Sequence, residues 1–331
     1  MSPRVSPQPA TRRAVTATVA TARRPLLGTA WLLCAALFWG IGFYAQRISI
    51  TVLPPLMSMA VRFALTLPVV LATLWWCRRR GRRIPWASGA VLGALLYLGF
   101  ALQTVALLYT PVTRVALLTG LYAVFTPLLQ PLFGLGRPTR SQLLAAALAG
   151  VGTLLLCGVV GDTRALQTPP NIGDLLTLGM ALVSAVCVLL VGRLAPGGDP
   201  IAINSVQILV MTVLAIVIAP LLETMPALST LPTSTWVSLI YLAVFSTIAA
   251  FLLQLLGQQH LSPTPATIIM LLETPIGVVA AVLLLGEQMA GAQWAGAGVA
   301  VLAVVLAVHG ERRRPNAAGG QAEKPHHLNI V

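Results

Sequence analysis

Ten stretches of the chain are almost wholly apolar, at about 27–46, 54–76, 87–108, 112–134, 141–160, 173–192, 200–222, 235–256, 263–285 and 290–309. Most run 20 to 23 residues, the length with which an α-helix crosses a hydrocarbon core about 30 Å thick. Lipid offers the backbone no hydrogen-bond partner, so each run must be helical or join a closed barrel. Barrel strands alternate apolar and polar positions over about ten residues. These runs are continuously apolar, which predicts an all-α integral membrane protein of ten transmembrane helices.

Composition agrees with that pattern. Of the 331 residues, 57% are hydrophobic and 9% charged, and the mean hydropathy is +0.87. A soluble domain carries about 25% charged residues. The net charge of +13 does not point to nucleic acid, because the arginines sit in short clusters between apolar runs. With the N-terminus inside, the inner segments hold 17 of the 21 basic residues, among them Arg78, Arg79, Arg80, Arg82 and Arg83. The outer loops hold Arg47, Arg114 and Arg164, and Arg62 falls within the second run. The positive-inside rule then puts both termini in the cytoplasm. An error of one helix would scramble this segregation. Residues 1–26 and 310–331 read as disordered cytoplasmic tails. The first is Arg-rich and acid-free to residue 25, which also fits an organelle transit peptide. No short signal-type apolar segment precedes the first long run, which is expected to stay as a helix. The four cysteines have no CxxC spacing and the four histidines are scattered, so neither a disulfide framework, a metal site nor a cofactor is expected.

The two halves, 27–160 and 173–309, repeat each other. Pro55 matches Pro200, Arg62 matches Gln207, Gln103 matches Gln254, Thr126-Pro127 matches Thr274-Pro275, and Gly136 matches Gly286. Five helices per half is an odd number, so the second copy must be inverted. The basic GRPTR (136–140) falls inside, and its counterpart GEQMA (286–290), which lacks Arg and Lys, falls outside. Inverted repeats place a substrate site near the bilayer midplane, at the repeat interface.

Three segments carry a family resemblance: LFWGIGF (37–43), MAVRF (59–63) and LLETPIGVVAAVLLLGEQMAGAQWAGAGVAVL (271–302). Together they resemble the EamA family of the drug/metabolite transporter superfamily, over about residues 27–309. The resemblance implies a ten-helix exporter or permease of small metabolites in the bacterial cytoplasmic membrane. The first half departs from the family pattern at Arg137, where Glu often follows Gly. Glu287 therefore has no symmetric counterpart.

Candidate chemistry lies within the membrane. Glu273 falls near the middle of the ninth run, where an ionisable group faces a protein interior or a water-filled cavity. It reads as a protonation site, a substrate contact or a packing residue. Arg62 lies about three residues from the centre of the second run, where arginine costs about 2.5–3.5 kcal/mol on insertion scales. It stays charged, so it needs a partner, and Glu273 is the acid at comparable depth. An Arg62–Glu273 pair is the first expectation, and snorkelling of Arg62 to an interface the alternative. Gln103, Gln254, Asn204 and Gln207 would line a cavity or join helices. Trp39 and Tyr122 would stack on an organic substrate or simply pack. Pro127 and Pro275 are expected to kink the fourth and ninth helices. Gly89 and Gly93, with the small residues around Ala149, Gly152 and Gly296, should let helices approach closely.

No HExxH, GxSxG or GxxxxGK[ST] motif occurs, which removes a zinc protease, a serine hydrolase elbow and a nucleotide-driven pump. The expectation is a secondary transporter with a small-molecule substrate, proton coupling being one option. Two rival readings stand beside it: a scaffold, and a lipid-modifying membrane enzyme built on the interfacial His260, Glu287 and Asp174.

Overall fold

The computed structural model describes residues 24–106, 108–110, 115, 118–156, 169–277, 279 and 290–312. The basic N-terminal segment to residue 23, the tail from 313, Arg114, Arg164, Gly286 and Glu287 lie outside them.

The described chain is helical throughout. In order come α1 (Pro25–Ile50), α2 (Pro55–Ala64), α3 (Leu67–Arg79), α4 (Trp86–Ala106), α5 (Tyr122–Leu129), α6 (Arg140–Leu156), α7 (Ile172–Leu194) and α8 (Pro200–Leu222). Then follow α9 (Thr233–Tyr241), a π-helical segment (Leu242–Ala249), α10 (Ala250–Gln258), α11 (Pro263–Met270) and α12 (Gly291–Arg312). Six helices among the described residues are long and apolar enough to cross a membrane, α9 to α10 being one, and the bent pair α2–α3 makes a seventh. Large apolar side chains such as Leu71, Trp75, Val217 and Leu221 are exposed on the outside. A water-soluble monomer does not carry so much contiguous apolar surface; here it suits lipid.

Helix ends follow local chemistry. Asp199 caps α8, its carboxylate accepting from the Ile201 and Ala202 N–H groups, with Pro200 at the first helical position. Asn171 and Asp174 form a reciprocal capping box on α7, so Asp174 is committed to a helix start. The second apolar run, read as one helix, is two, bent by 41° at Leu65–Thr66. Pro68 is the cause: its ring excludes the carbonyl four residues earlier, that of Ala64, where α2 stops. Pro275 acts likewise on Leu271. The ninth apolar run breaks at Leu271–Leu272, and helix resumes over 273–277.

Two apolar cores are the largest among the described residues. One gathers residues of α5, α6, α7, α11 and α12, such as Tyr122, Ala149, Ala185, Ile269 and Ala303. The other gathers α2, α4, α8 and α10, with Phe63, Tyr97, Met211 and Phe251. Trp39 of α1 packs against both. Glycines mark close helix crossings. A Cβ on Gly89 or Gly93 of α4 would run into Val206, Val210 and the Gln207 backbone of α8. A Cβ on Gly152 of α6 would meet the Ala300 and Gly296 backbone of α12, and one on Gly296 would meet Leu156.

Glu311, beyond the 309 boundary read from the sequence, is 5% exposed. Its carboxylate accepts from the Ser262 N–H and hydroxyl and from Gln142 Nε2, at 2.8–3.1 Å. The ends of α6 and α12 are thereby tied to the start of α11.

The α4–α8 contact leads to the first prediction. Gly93→Leu should lower stability by about 1–3 kcal/mol or more through overpacking, read as a drop in the thermal midpoint of the detergent-purified protein. Gly150→Leu, on a face with nothing within 4 Å of the added Cβ, should leave that midpoint unchanged.

Candidate functional site

A π-helical turn widens the helix and interrupts the regular i→i+4 ladder. Here side chains from three other helices take up the carbonyls it presents. Ser246 O accepts from Trp39 Nε1 of α1 at 2.9 Å and from Arg62 Nη2 of α2 at 3.3 Å. Ile248 O accepts from Asn204 Nδ2 of α8 at 3.1 Å. Thr247 donates to Leu242 O and accepts from Arg62 Nε at 2.9 Å. The π segment is thus the point where α1, α2 and α8 meet.

Arg62 is 3% exposed. Its remaining contacts are Nη2 to Ser246 Oγ at 3.3 Å and Nη1 to Gln46 Oε1 at 3.4 Å. Gln46 in turn donates to the hydroxyls of Ser49 and Ser58. The Phe63 and Phe100 rings cover the guanidinium, with centroids 5.4 and 5.2 Å from Cζ, a cation–π arrangement. Phe251 extends the aromatic wall, edge-on to both Phe100 and Trp39.

The Arg62–Glu273 pair expected from the sequence is not formed. Every hydrogen-bond acceptor of Arg62 is neutral. The reason is the position of α1. Gly40 packs directly on the Glu273 carbonyl and on Ile276, while its neighbour Trp39 reaches the carbonyl that Arg62 shares. Adjacent helical residues point about 100° apart, so α1 serves the two ionisable groups on different faces. Glu273 opens the helical stretch that follows the Leu271–Leu272 turn. It lies within electrostatic reach of the buried Tyr122 phenol at the start of α5.

The other candidates divide. Gln207 donates to Asn204 Oδ1 at 2.9 Å, and its own Oε1 is buried without a hydrogen bond. Gln254 bonds Gln258, which reaches the Val188 carbonyl, so it joins α10 to α7. Gln103 on α4 is half-buried and joins neither group. Pro127 lies inside α5, which passes directly into a 3₁₀ turn at Gln130–Phe133. Sequence reasoning missed Gln46, Ser246, Thr247, Phe100 and Phe251. A Ser-Thr pair in an apolar run was the available signal, but its partners are fixed only by tertiary contact.

A cavity of about 240 Å³ opens beside this site, lined by Gln46, Ile50, Pro55, Thr104 and Leu108. It lies where α1 ends, α2 begins and α4 ends. At the other end of α1, Gly28 packs on Gly257 and on His260. His260 Nδ1 is buried without a partner. Burial, and secondarily the charge of Arg24, hold this imidazole below its ordinary value of 6.5.

Two predictions follow from this geometry. Thr247→Val removes the short bond to Arg62 Nε and should cost about 1.5–3 kcal/mol, the range for a hydrogen bond to a charged group, measured by thermal or denaturant unfolding in detergent. The folded state binds a proton at His260 less readily than the unfolded chain does. Stability should therefore be unaffected by this group above pH 6.5, then fall as the pH drops below it, levelling off under the folded value. The midpoint of His260→Gln should decline less between pH 7 and 5 than that of the unaltered protein.

The EamA-like transporter family matches residues 26–158 and again 171–309. An Archaeoglobus fulgidus protein named as an uncharacterized transporter is 27% identical over 276 residues, 83% of each chain. YedA, named as an uncharacterized inner membrane transporter of Escherichia coli K12, is 26% identical over 294 residues, covering 87% of this chain and 92% of that one. A solved crystal structure superposes with a TM-score of 0.75 at 18% identity, over 88% of this chain and 99% of the other, and shares the fold. Two tandem family matches on an all-helical, lipid-suited bundle lead to one conclusion: the chain is a multi-pass membrane protein belonging to the EamA-like transporter family.

Proposed function

We propose that this protein is a secondary transporter that exports a small organic metabolite, an amino acid or related compound, by alternating access across the bacterial cytoplasmic membrane. In this reading the chain forms ten spans as two inverted five-helix repeats, with both termini cytoplasmic. The outer end of the bundle is then the end bearing the Gln46 cavity. The observation that carries the reading is the seam marked by Trp39. On one side of it lies Arg62 on the broken α2–α3 span, and on the other Glu273 at the break of the ninth span. Ionisable groups on discontinuous helices at mid-depth are the arrangement from which secondary transporters build substrate and ion sites.

Glu273 is the proposed proton carrier, with Tyr122 beside it, and Arg62 the proposed substrate contact or organiser. The breaks at Leu65–Thr66 and Leu271–Leu272 supply the joints about which the lobes rock. Trp39, Asn204, Gln207, Gln103 and Gln254 are retained as pathway candidates, and Pro127 and Pro275 as the residues that bend it. The transported compound should be found by comparing metabolites inside and outside cells with and without overproduction of the protein. In proteoliposomes its efflux should drive protons the opposite way, and Glu273→Gln should cut that proton flux at least about tenfold, the size of effect expected for a positioned proton-transfer group. Proton movement persisting at full rate in Glu273→Gln would remove Glu273 from the role.

A further inference from the structure

We propose that the transported compound is a small monocarboxylate with an apolar body, and that its carboxylate binds Arg62 by displacing the side-chain amide of Gln46. The inference rests on the reading of this region as the transport site.

Arginine keeps its charge in a protein interior. A buried cation is ordinarily paired or coordinated, yet all the hydrogen-bond acceptors of Arg62 are neutral. Its bonds are also unequal. Nε to Thr247 is short at 2.9 Å, which fixes the base of the guanidinium. The terminal nitrogens hold their acceptors at 3.3–3.4 Å, beyond the 2.7–2.9 Å of a charge-assisted bond. The fork that recognises a planar anion is therefore the loosely held part. Phe63 and Phe100 cover the guanidinium, which favours approach in the plane of the fork.

Gln46 stands between this fork and the outer cavity. Its Oε1 sits on Nη1, its Nε2 rests on two serine hydroxyls at 3.3–3.4 Å, and the same side chain lines the cavity. An amide oxygen here occupies the place of a carboxylate oxygen without the charge. The rest of the lining is Ile50, Pro55, Leu108 and the single hydroxyl of Thr104. Such walls suit a hydrocarbon body and offer a sugar almost nothing to bond. Arg62 repels a cation. At about 240 Å³ the space falls below the roughly 300–1,000 Å³ of drug-sized sites, which limits the body to a small ring or short chain.

The test uses acid and amide pairs of matched shape: benzoate with benzamide, phenylacetate with phenylacetamide, and hexanoate with hexanamide. Ligand binding to the folded state raises the thermal midpoint. In the detergent-purified full chain at least one acid should raise the midpoint at concentrations where its amide does not. Arg62→Gln should abolish that difference. Because Arg62→Gln risks misfolding, Gln46→Glu is the second variant. It sets a tethered carboxylate on Arg62, so it should raise the ligand-free midpoint and abolish the shift caused by the acid. Equal shifts from acids and amides, or an acid shift surviving in Gln46→Glu, would overturn the proposal. The same pairs offered in proteoliposome counterflow separate the two readings. Acids that bind through Arg62 and are not moved leave this site standing and sink the transport reading. Movement of amides with no preference for acids does the reverse.

Discussion

A guanidinium sealed inside a bilayer-spanning bundle has to be solvated by the protein, and much of the interior is arranged around that demand. Backbone carbonyls in a regular helix are already used, so they are poor ligands for a side chain. The π turn at Leu242–Ala249 makes such carbonyls available, and Ser246 and Thr247 on it hold Arg62. The same segment binds Trp39 and Asn204. A local departure from α-geometry thus serves as the common anchor of α1, α2 and α8. An α-helical register here would cost three long-range contacts at once.

Around this anchor, rigid and jointed regions are separated by chemistry that is easy to name. Glycine lets α4 lie on α8 and α6 lie on α12 with backbones nearly touching, and packing at that distance resists sliding. Proline works the other way. Pro68 and Pro275 each end the helix before them, giving two-residue turns in the middle of spans. Each joint adjoins one of the two ionisable groups, Arg62 three residues before Leu65 and Glu273 directly after Leu272. The side chains that would sense a substrate or a proton are therefore beside the backbone that can bend.

The sequence made the helices legible because lipid permits so few alternatives. The apolar run at 200–222 coincides with α8, and Arg62, buried as its depth required, was visible from charge alone. Its partner was not. Depth along the membrane normal brought Arg62 and Glu273 to the same level, but rotation about the bundle axis is invisible in a single run of apolar residues, and α1 came between them. The π segment was hidden for a related reason: its hydroxyls look like ordinary polar residues in a span until the helices that bond them are in place. Pro68 was readable in principle, since proline acts on the carbonyl four residues before it, yet the uniform apolar run around it masked the break. Glu311 looked like part of a polar tail, and only the folded ends of α6 and α11 reveal it as an interior residue.

The joint at Leu65–Thr66 has no twin. Under the repeat, Val213 stands where Pro68 stands in the first half, and α8 runs through unbroken. Duplicated halves of equal stiffness would make the outward- and inward-facing forms nearly mirror images with similar free energies. With α2–α3 jointed and α8 a straight rail, the halves differ at this pair of helices, and in the proposed cycle that difference would lift the degeneracy. Without a coupling ion such a cycle could not pump, so unequal halves would express themselves in kinetics: half-saturation concentrations on the two faces would differ, with maximal rates differing in compensating proportion, as the Haldane relation requires. In that reading a single proline, Pro68, would give two matching halves a preferred working direction at low substrate.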